Sequence, residues 1–143
     1  MTTKTVYLDA SVIVALFVDD PFSSRAKAFL ESGDLSIVIA DYATAEFASA
    51  LARLVRMGEL DVERARTACA NLDAWMARSA QAAQITSADI KAAEGFLRRF
   101  DLNLRAPDSL HIAASRRLSA QLATFDEAMA ASARALGVDV AVL

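Results

Sequence analysis

The stretch KTVYLDASVIVALF, residues 4–17, decides the fold. Its opening segment, KTVYL, is rich in residues that favour strands and predicts a short strand that ends at Asp9. The apolar run SVIVALF at 11–17 is ambiguous by periodicity. Because this run directly follows a strand that ends in a polar turn, we interpret it as a short buried helix.

The rest of the chain repeats this order of strand and helix. Apolar runs, prolines, glycines and capping residues predict further strands at 35–40, 82–85, 121–125 and 138–143, and helices at 21–32, 42–57, 62–78, 86–100, 107–118 and 127–136. Such alternation is typical of an α/β fold with a parallel sheet that is covered by helices on both faces. Sheets of this kind bind ligands at the carboxyl ends of their strands.

Length and composition predict one domain spanning residues 1–143, because there is no repeat, low-complexity tract or break in composition. The lone cysteine, Cys69, cannot form an internal disulfide and suits a reducing compartment. The N-terminus lacks the pattern of a signal peptide, and no apolar run reaches the roughly 18 residues that a membrane span needs. We therefore expect a soluble cytoplasmic protein.

The formal net charge of −3 argues weakly against nonspecific binding to nucleic acid. Twelve of the 15 basic residues, however, are arginines, which bind phosphate groups in a bidentate way. Acidic and basic side chains could also be segregated on the surface, with the acids pooled in one site. The net charge alone does not separate these cases.

Four acidic residues occupy related positions in this predicted architecture. Asp9 and Asp126 follow the first strand and the strand at 121–125, and the carboxyl ends of parallel strands lie on one edge of the sheet. Asp108 lies in the first turn of a helix that Pro107 helps to start, and Glu46 lies about one turn into the helix after the second strand. Each acid has an ordinary explanation as a helix cap, a partner of the helix dipole or a solvated side chain. A single site at the strand ends would account for all four positions together.

Four carboxylates in one place need a counterion. Two unit charges about 6 Å apart at an effective dielectric constant near 20 repel each other by about 2.8 kcal/mol. Ligands that are all oxygen, with no cluster of cysteine or histidine, favour Mg²⁺ or Mn²⁺ over zinc. An acidic Mg²⁺ site that is open to water suits phosphoryl transfer, and the number of ions stays open.

Four segments of the chain resemble the PIN-domain ribonucleases and, more narrowly, the VapC-type toxins of bacterial toxin–antitoxin pairs. The matching segments cover nearly the whole chain and are VYLDASVIVALF (6–17), ADYATAEFASALAR (40–53), LRAPDSLHIAAS (104–115) and LATFDEAMAASARALGV (122–138). The resemblance implies a three-layer α/β/α PIN-like fold with a central, mostly parallel sheet of four to five strands. It also implies a Mg²⁺-dependent endoribonuclease, with Mn²⁺ as a possible substitute, that cleaves RNA by a metal-activated water.

The resemblance also assigns roles to particular residues. The family's acidic quartet, which is both catalytic and metal-binding, corresponds to Asp9, Glu46, Asp108 and Asp126, and its small supporting hydroxyl residues correspond to Ser11 and Thr124. Members of the family typically form homodimers, and a cognate antitoxin of VapB type silences them by covering the active site.

Three neighbouring residues have separate interpretations. We interpret Asp41 as the N-cap of its helix and His111 as a hydrogen-bonded structural histidine. Arg105 could contact an RNA phosphate near the site, or it could be a plain surface arginine or a tether for the loop.

Other classes of protein also place acids at strand ends. A haloacid-type phosphatase needs a second aspartate where this chain has Ser11, and a receiver domain needs an acidic pair at the first strand and a lysine after the last, neither of which is present. The remaining alternative to the nuclease is a catalytically silent PIN-like binding module. Intact acids at all four positions argue against it but do not exclude it.

Overall fold

A computed structural model describes residues 2–143. Strands and helices alternate through most of the chain, as the sequence predicts. In chain order the elements are β1 (Lys4–Leu8), α1 (Ala10–Phe17), α2 (Ser23–Glu31), β2 (Leu35–Ala40), α3 (Asp41–Arg56), α4 (Val62–Ser79), β3 (Ala80–Ala83), α5 (Ser87–Leu97), α6 (Ala106–Arg117), β4 (Gln121–Ala123) and α7 (Glu127–Ala135).

The strands form one parallel sheet in the order β3-β2-β1-β4. Side chains of β1 alternate between its two faces. Val6 and Leu8 pack in a core with residues of α1, α3 and α4, whereas Tyr7 packs in a second core with residues of α5, α6 and α7. The predicted three-layer α/β/α fold with a parallel sheet of four strands is therefore confirmed.

The strand order creates a switch point between β1 and β4. After β1 the chain adds β2 and then β3 on one side, and it later returns to add β4 on the other side of β1. At such a point the connections leave the sheet in opposite directions and open a crevice at the carboxyl ends of the strands. Asp9 directly follows the end of β1, and Asp126 lies three residues after the end of β4.

The strands predicted at 82–85 and at 138–143 differ from those in the structure. The strand predicted at 82–85 is β3, which begins directly after α4 and ends at Ala83, while Ile85 packs from a loop into the second core. The strand predicted at 138–143 is reduced to a single parallel bridge between Leu122 and Val140. Because β4 has only three residues, it offers little backbone for a further strand to pair with.

Helix starts also differ in detail. The helix predicted from Pro21 begins at Ser23. Asp41 is not an N-cap but the first residue of α3, where its Oδ1 accepts the backbone N–H groups of Tyr42 at 2.8 Å and of Ile85 at 3.0 Å. Asp41 therefore joins α3 to the loop after β3. Within residues 2–143, no helix is both long and apolar enough to cross a membrane.

Candidate active site

Asp9 lies at the carboxyl end of β1 and is only 3% exposed. The Ser11 hydroxyl donates to its Oδ1 at 2.6 Å, and the Thr124 hydroxyl donates to its Oδ2 at 2.5 Å. Oδ1 also accepts the backbone N–H of Val12 at 3.2 Å, so Asp9 caps α1. Burial raises the pKa of Asp9 above its ordinary value, although the hydrogen bonds from Ser11 and Thr124 oppose this change. In the folded protein, burial therefore makes the free energy of the charged form of this carboxylate less favourable relative to the protonated form.

The same two hydroxyl groups connect β1 to the loop after β4. The backbone N–H of Phe125 donates to Ser11 Oγ at 3.0 Å, and the backbone N–H of Asp126 donates to Thr124 Oγ1 at 2.9 Å. Each hydroxyl thus accepts from the β4 loop while it donates to Asp9. One hydrogen-bond network holds the two strand ends, and the acids that follow them, in a fixed relation.

Asp126 and Asp108 form the second part of this edge. Asp126 caps α7 by accepting the Met129 backbone N–H on Oδ1 at 3.0 Å. Asp108 lies half-buried in the first turn of α6. Burial raises the pKa of Asp108, the negative charge of Asp126 raises it further, and nearby Arg105 and His111 act in the opposite direction. Asp108 and Asp126 therefore act on each other electrostatically.

Glu46 reaches the site from α3, and it is bound to His111. Oε1 of Glu46 is hydrogen-bonded to Nε2 of His111, and Nδ1 of that imidazole is hydrogen-bonded to the Tyr7 hydroxyl at 2.5 Å. His111 is 1% exposed, whereas the Glu46 side chain is 31% exposed. The interpretation of His111 as a buried, hydrogen-bonded histidine is confirmed. Burial raises the pKa of Tyr7, and the charges of Asp9 and Glu46 raise it further.

The donor set fits a hard divalent cation in its chemistry. All four acids offer carboxylate oxygens. Burial raises the pKa of Asp9 and of Asp108, and a bound cation would favour the charged form of both. Within residues 2–143, however, no three side chains of histidine, cysteine or acid type stand close enough together to hold an ion as they are.

Arg105 is exposed at the N-cap position of α6, beside Asp108. Its side chain forms no hydrogen bond or ion pair with another residue in the described part of the chain. The position is compatible with a phosphate contact and with a plain surface arginine, and it gives no support to a tether for the loop.

The structure adds a group of side chains that the sequence did not indicate. The rings of Phe22 and Phe125 stack with centroids 4.6 Å apart, and the Arg25 guanidinium carbon lies 5.5 Å and 5.2 Å from their centroids. A cavity of about 380 Å³ contacts this pair and also contacts Ser11 and Asp126. Phe22 and Phe125 are far apart in the chain, so their spacing carries no sequence signal.

The family model of the PIN domain matches residues 6–135, and the chain therefore belongs to the PIN-domain family. PIN domains are generally nucleases, and PIN nucleases usually use divalent metals. No curated protein matches the chain.

Several solved structures with this fold are toxins or toxin–antitoxin complexes. VapC20 of Mycobacterium tuberculosis, a toxin that cleaves the sarcin–ricin loop, is 19% identical with a TM-score of 0.71, over 89% of this chain and 94% of that one. VapBC2 of Rickettsia felis, bound to a DNA fragment from its promoter, is 14% identical with a TM-score of 0.69, over 96% and 97%. FitAcB of Neisseria gonorrhoeae is 18% identical with a TM-score of 0.67, over 94% and 95%. At these identities the likeness shows the fold.

Proposed function

We propose that this chain is a VapC-type toxin, a Mg²⁺-dependent endoribonuclease that a cognate antitoxin of VapB type silences. The observation that carries the proposal is the position of the acids at the switch point between β1 and β4. Asp9 and Asp126 follow the two strand ends, the hydroxyl groups of Ser11 and Thr124 join them, and Asp108 lies near Asp126. Membership of the PIN-domain family and the fold shared with VapC toxins support this interpretation.

Each residue then has a defined task. Asp9, Glu46, Asp108 and Asp126 would hold Mg²⁺ or Mn²⁺, while Ser11 and Thr124 fix the Asp9 carboxylate. The bound ion lowers the pKa of a coordinated water and stabilises charge on the phosphate oxygens. Arg105 is exposed beside Asp108 and is placed to bind a phosphate of the RNA backbone.

The first test is cleavage of RNA by the purified chain. We expect discrete fragments from total cellular RNA in Mg²⁺ or Mn²⁺ and intact RNA in EDTA, because the acids need the cation to organise the reacting phosphate. Mapping the new RNA ends would also identify the target. Intact RNA in every metal, from a chain that remains folded, would instead support the silent binding module.

The sheet edge that carries Asp9, Asp108 and Asp126, which we call the acidic edge, also offers a place where an antitoxin could act. A lysine or arginine inserted between Asp9, Asp108 and Asp126 would replace the charge of the metal ion. A separate cavity of about 730 Å³ between α1, α3 and α4 touches none of the four acids, and its walls include Val14, Phe17 and Leu60. This cavity offers room for the apolar part of the same partner. The homodimer that the resemblance implies remains a prediction.

We therefore expect Mg²⁺ to compete with the basic segment of the antitoxin. In a titration of the labelled segment onto the chain, the apparent Kd should rise with millimolar Mg²⁺, and equal ionic strength supplied by NaCl should have a smaller effect. Truncating the inserted basic residue should restore cleavage while the apolar contacts persist. An apparent Kd that depends only on ionic strength would contradict a shared site.

A further inference from the structure

Glu46 differs from the other acids of the candidate site in the way it is held. Asp9 and Asp126 are fixed by hydroxyl groups and backbone N–H groups at their own helix starts. Glu46 lies well inside α3, where the backbone N–H groups already serve the helix, and its carboxylate is held instead by an imidazole from α6. A flexible side chain on the helix face nearest the site therefore depends on His111 for its position.

The hydrogen-bond chain through His111 has one consistent direction. A carboxylate can only accept hydrogen bonds, so Nε2 of a neutral His111 ring carries the proton and donates to Oε1 of Glu46. Nδ1 then offers its lone pair, and the Tyr7 hydroxyl donates to it. In the opposite tautomer, the Nε2 lone pair would face a carboxylate. Tyr7 thus selects the tautomer that can bind Glu46.

The surroundings hold the imidazole rigidly. Tyr7 is completely buried in β1, and the ring centroids of Tyr7 and Tyr42 lie 5.5 Å and 5.7 Å from that of His111. With 1% exposure, the His111 ring cannot reach the solvent or the substrate itself. Only Oε1 of Glu46 is engaged by hydrogen bonds among the described residues, which leaves Oε2 available.

We propose that Tyr7 and His111 are positioning residues that hold Glu46 ready to bind the divalent cation through its second carboxylate oxygen. This inference rests on the proposed function, because a metal site would give a purpose to the hydrogen-bonded chain from Tyr7 through His111 to Glu46, which we call the relay. Histidines that bind metal are commonly oriented by a carboxylate, and here an imidazole orients a carboxylate ligand by the same physical means. The competing interpretation is a polar contact that merely ties α3 to β1 and α6.

The hydrogen bonds can be observed directly because His111 is the only histidine of the chain. In metal-free protein labelled with ¹⁵N, the imidazole spectrum contains one residue, and we expect a proton on Nε2. Tyr7→Phe removes the donor to Nδ1, so part of the ring proton should move from Nε2 to Nδ1. Glu46→Gln should shift the Nε2–H resonance. A proton found on Nδ1 alone would overturn the proposal.

Mn²⁺ affinity, measured calorimetrically, separates positioning from simple structural support. Outer partners of metal ligands typically contribute about 10–100-fold to affinity, and we expect a loss in this range for His111→Leu. His111→Gln, whose amide can still donate to Glu46, should recover part of it. Ile112→Val is the matched control, because it alters a fully buried neighbour on α6 without touching Glu46.

The decisive comparison combines two substitutions. If His111 acts only through Glu46, His111→Leu should have no further effect on the Mn²⁺ Kd once Glu46→Gln is present. Independent, additive losses would overturn the proposal, as would an unchanged Kd in His111→Leu or a loss of the same size in Ile112→Val. A wild-type chain that binds no Mn²⁺ would overturn both the proposed function and this role of His111. A wild-type chain that binds Mn²⁺ with an affinity that His111→Leu does not change would overturn the role of His111 alone. The two failures are therefore distinguishable.

Discussion

Replacing Asp9 by asparagine is expected to reduce RNA cleavage by at least about 100-fold, more than the loss of an outer partner of a metal ligand normally costs. Asp9 is the most buried of the four acids, and it is joined by hydroxyl groups to the loop that carries Asp126. Asparagine keeps the size of the side chain and one oxygen for capping α1, but it removes the charge that attracts the cation. Initial rates of cleavage in Mg²⁺ would measure the loss.

The matched control is Asp73→Asn, which makes the same change on the exposed surface of α4. It should leave the cleavage rate within about twofold, because its exposed carboxylate is not one of the four proposed ligands. If Asp9→Asn retains full activity, or if Asp73→Asn is equally damaging, the assignment of Asp9 to the site is wrong.

Asp9→Asn should also change how stability depends on pH when metal is absent. Burial raises the pKa of Asp9 in the folded chain, so the folded state binds more protons than the unfolded state above the ordinary pKa of 3.8. This contribution to stability is fully present below pH 3.8 and is lost as the pH rises through the folded pKa. Asparagine does not titrate, and the stability of the variant relative to wild type should therefore increase with pH. Urea unfolding in EDTA at several pH values would measure this difference, and a constant difference would contradict it.

The sequence predicted the fold well where local chemistry and burial agree. A strand that ends at Asp9 and turns directly into an apolar helix appears as β1 and α1. Thr86 and Asp89 form a capping box at the start of α5, the helix predicted from residue 86, and both hydrogen bonds of this motif depend on residues only three positions apart. The predicted order of elements was sufficient to place Asp9 and Asp126 at strand ends.

Features that depend on distant partners were not predictable in the same way. Whether residues 138–143 form a strand depends on the length of β4, and only a single bridge at Val140 forms. Ile85 looks like part of a strand, but its backbone N–H is bound by the side chain of Asp41. The relay from Tyr7 through His111 joins β1, α6 and α3, so no spacing in the sequence reveals it. The pairing of Phe22 with Phe125 is equally nonlocal.

The candidate site shows the same limit. Sequence position alone brings the four acids to one edge, but it does not decide whether they are caps or ligands. The structure gives Asp9 and Asp126 the capping hydrogen bonds of the ordinary explanation. It also gives Asp9 and Asp108 a burial that raises their pKa values, which no cap requires. An exposed cap such as Asp61 achieves its hydrogen bond without that cost. The excess burial of charge is the feature that favours a cation site.

Divalent cations should accordingly stabilise the folded chain. A ligand that binds only the folded state adds RT ln(1 + [L]/Kd), or about 2.7 kcal/mol at a concentration of 100 times Kd. For a domain of this size, such a gain corresponds to an increase in melting temperature of roughly 8–11 °C. Melting curves in EDTA and in rising Mn²⁺ or Mg²⁺, recorded at constant ionic strength, would measure it.

Two variants make this thermal shift specific to the acidic edge. Asp126→Asn can keep the hydrogen bond that caps α7, so its metal-free melting temperature should stay close to that of wild type while most of the shift in Mn²⁺ disappears. Asp73→Asn should keep the full shift, because its exposed carboxylate on α4 is not one of the four proposed ligands. A melting temperature that does not change with millimolar Mn²⁺ or Mg²⁺ would argue against a metal-dependent enzyme. A shift that persists unchanged in Asp126→Asn would place the cation elsewhere, since a carboxylate that contributes no binding energy cannot be a ligand.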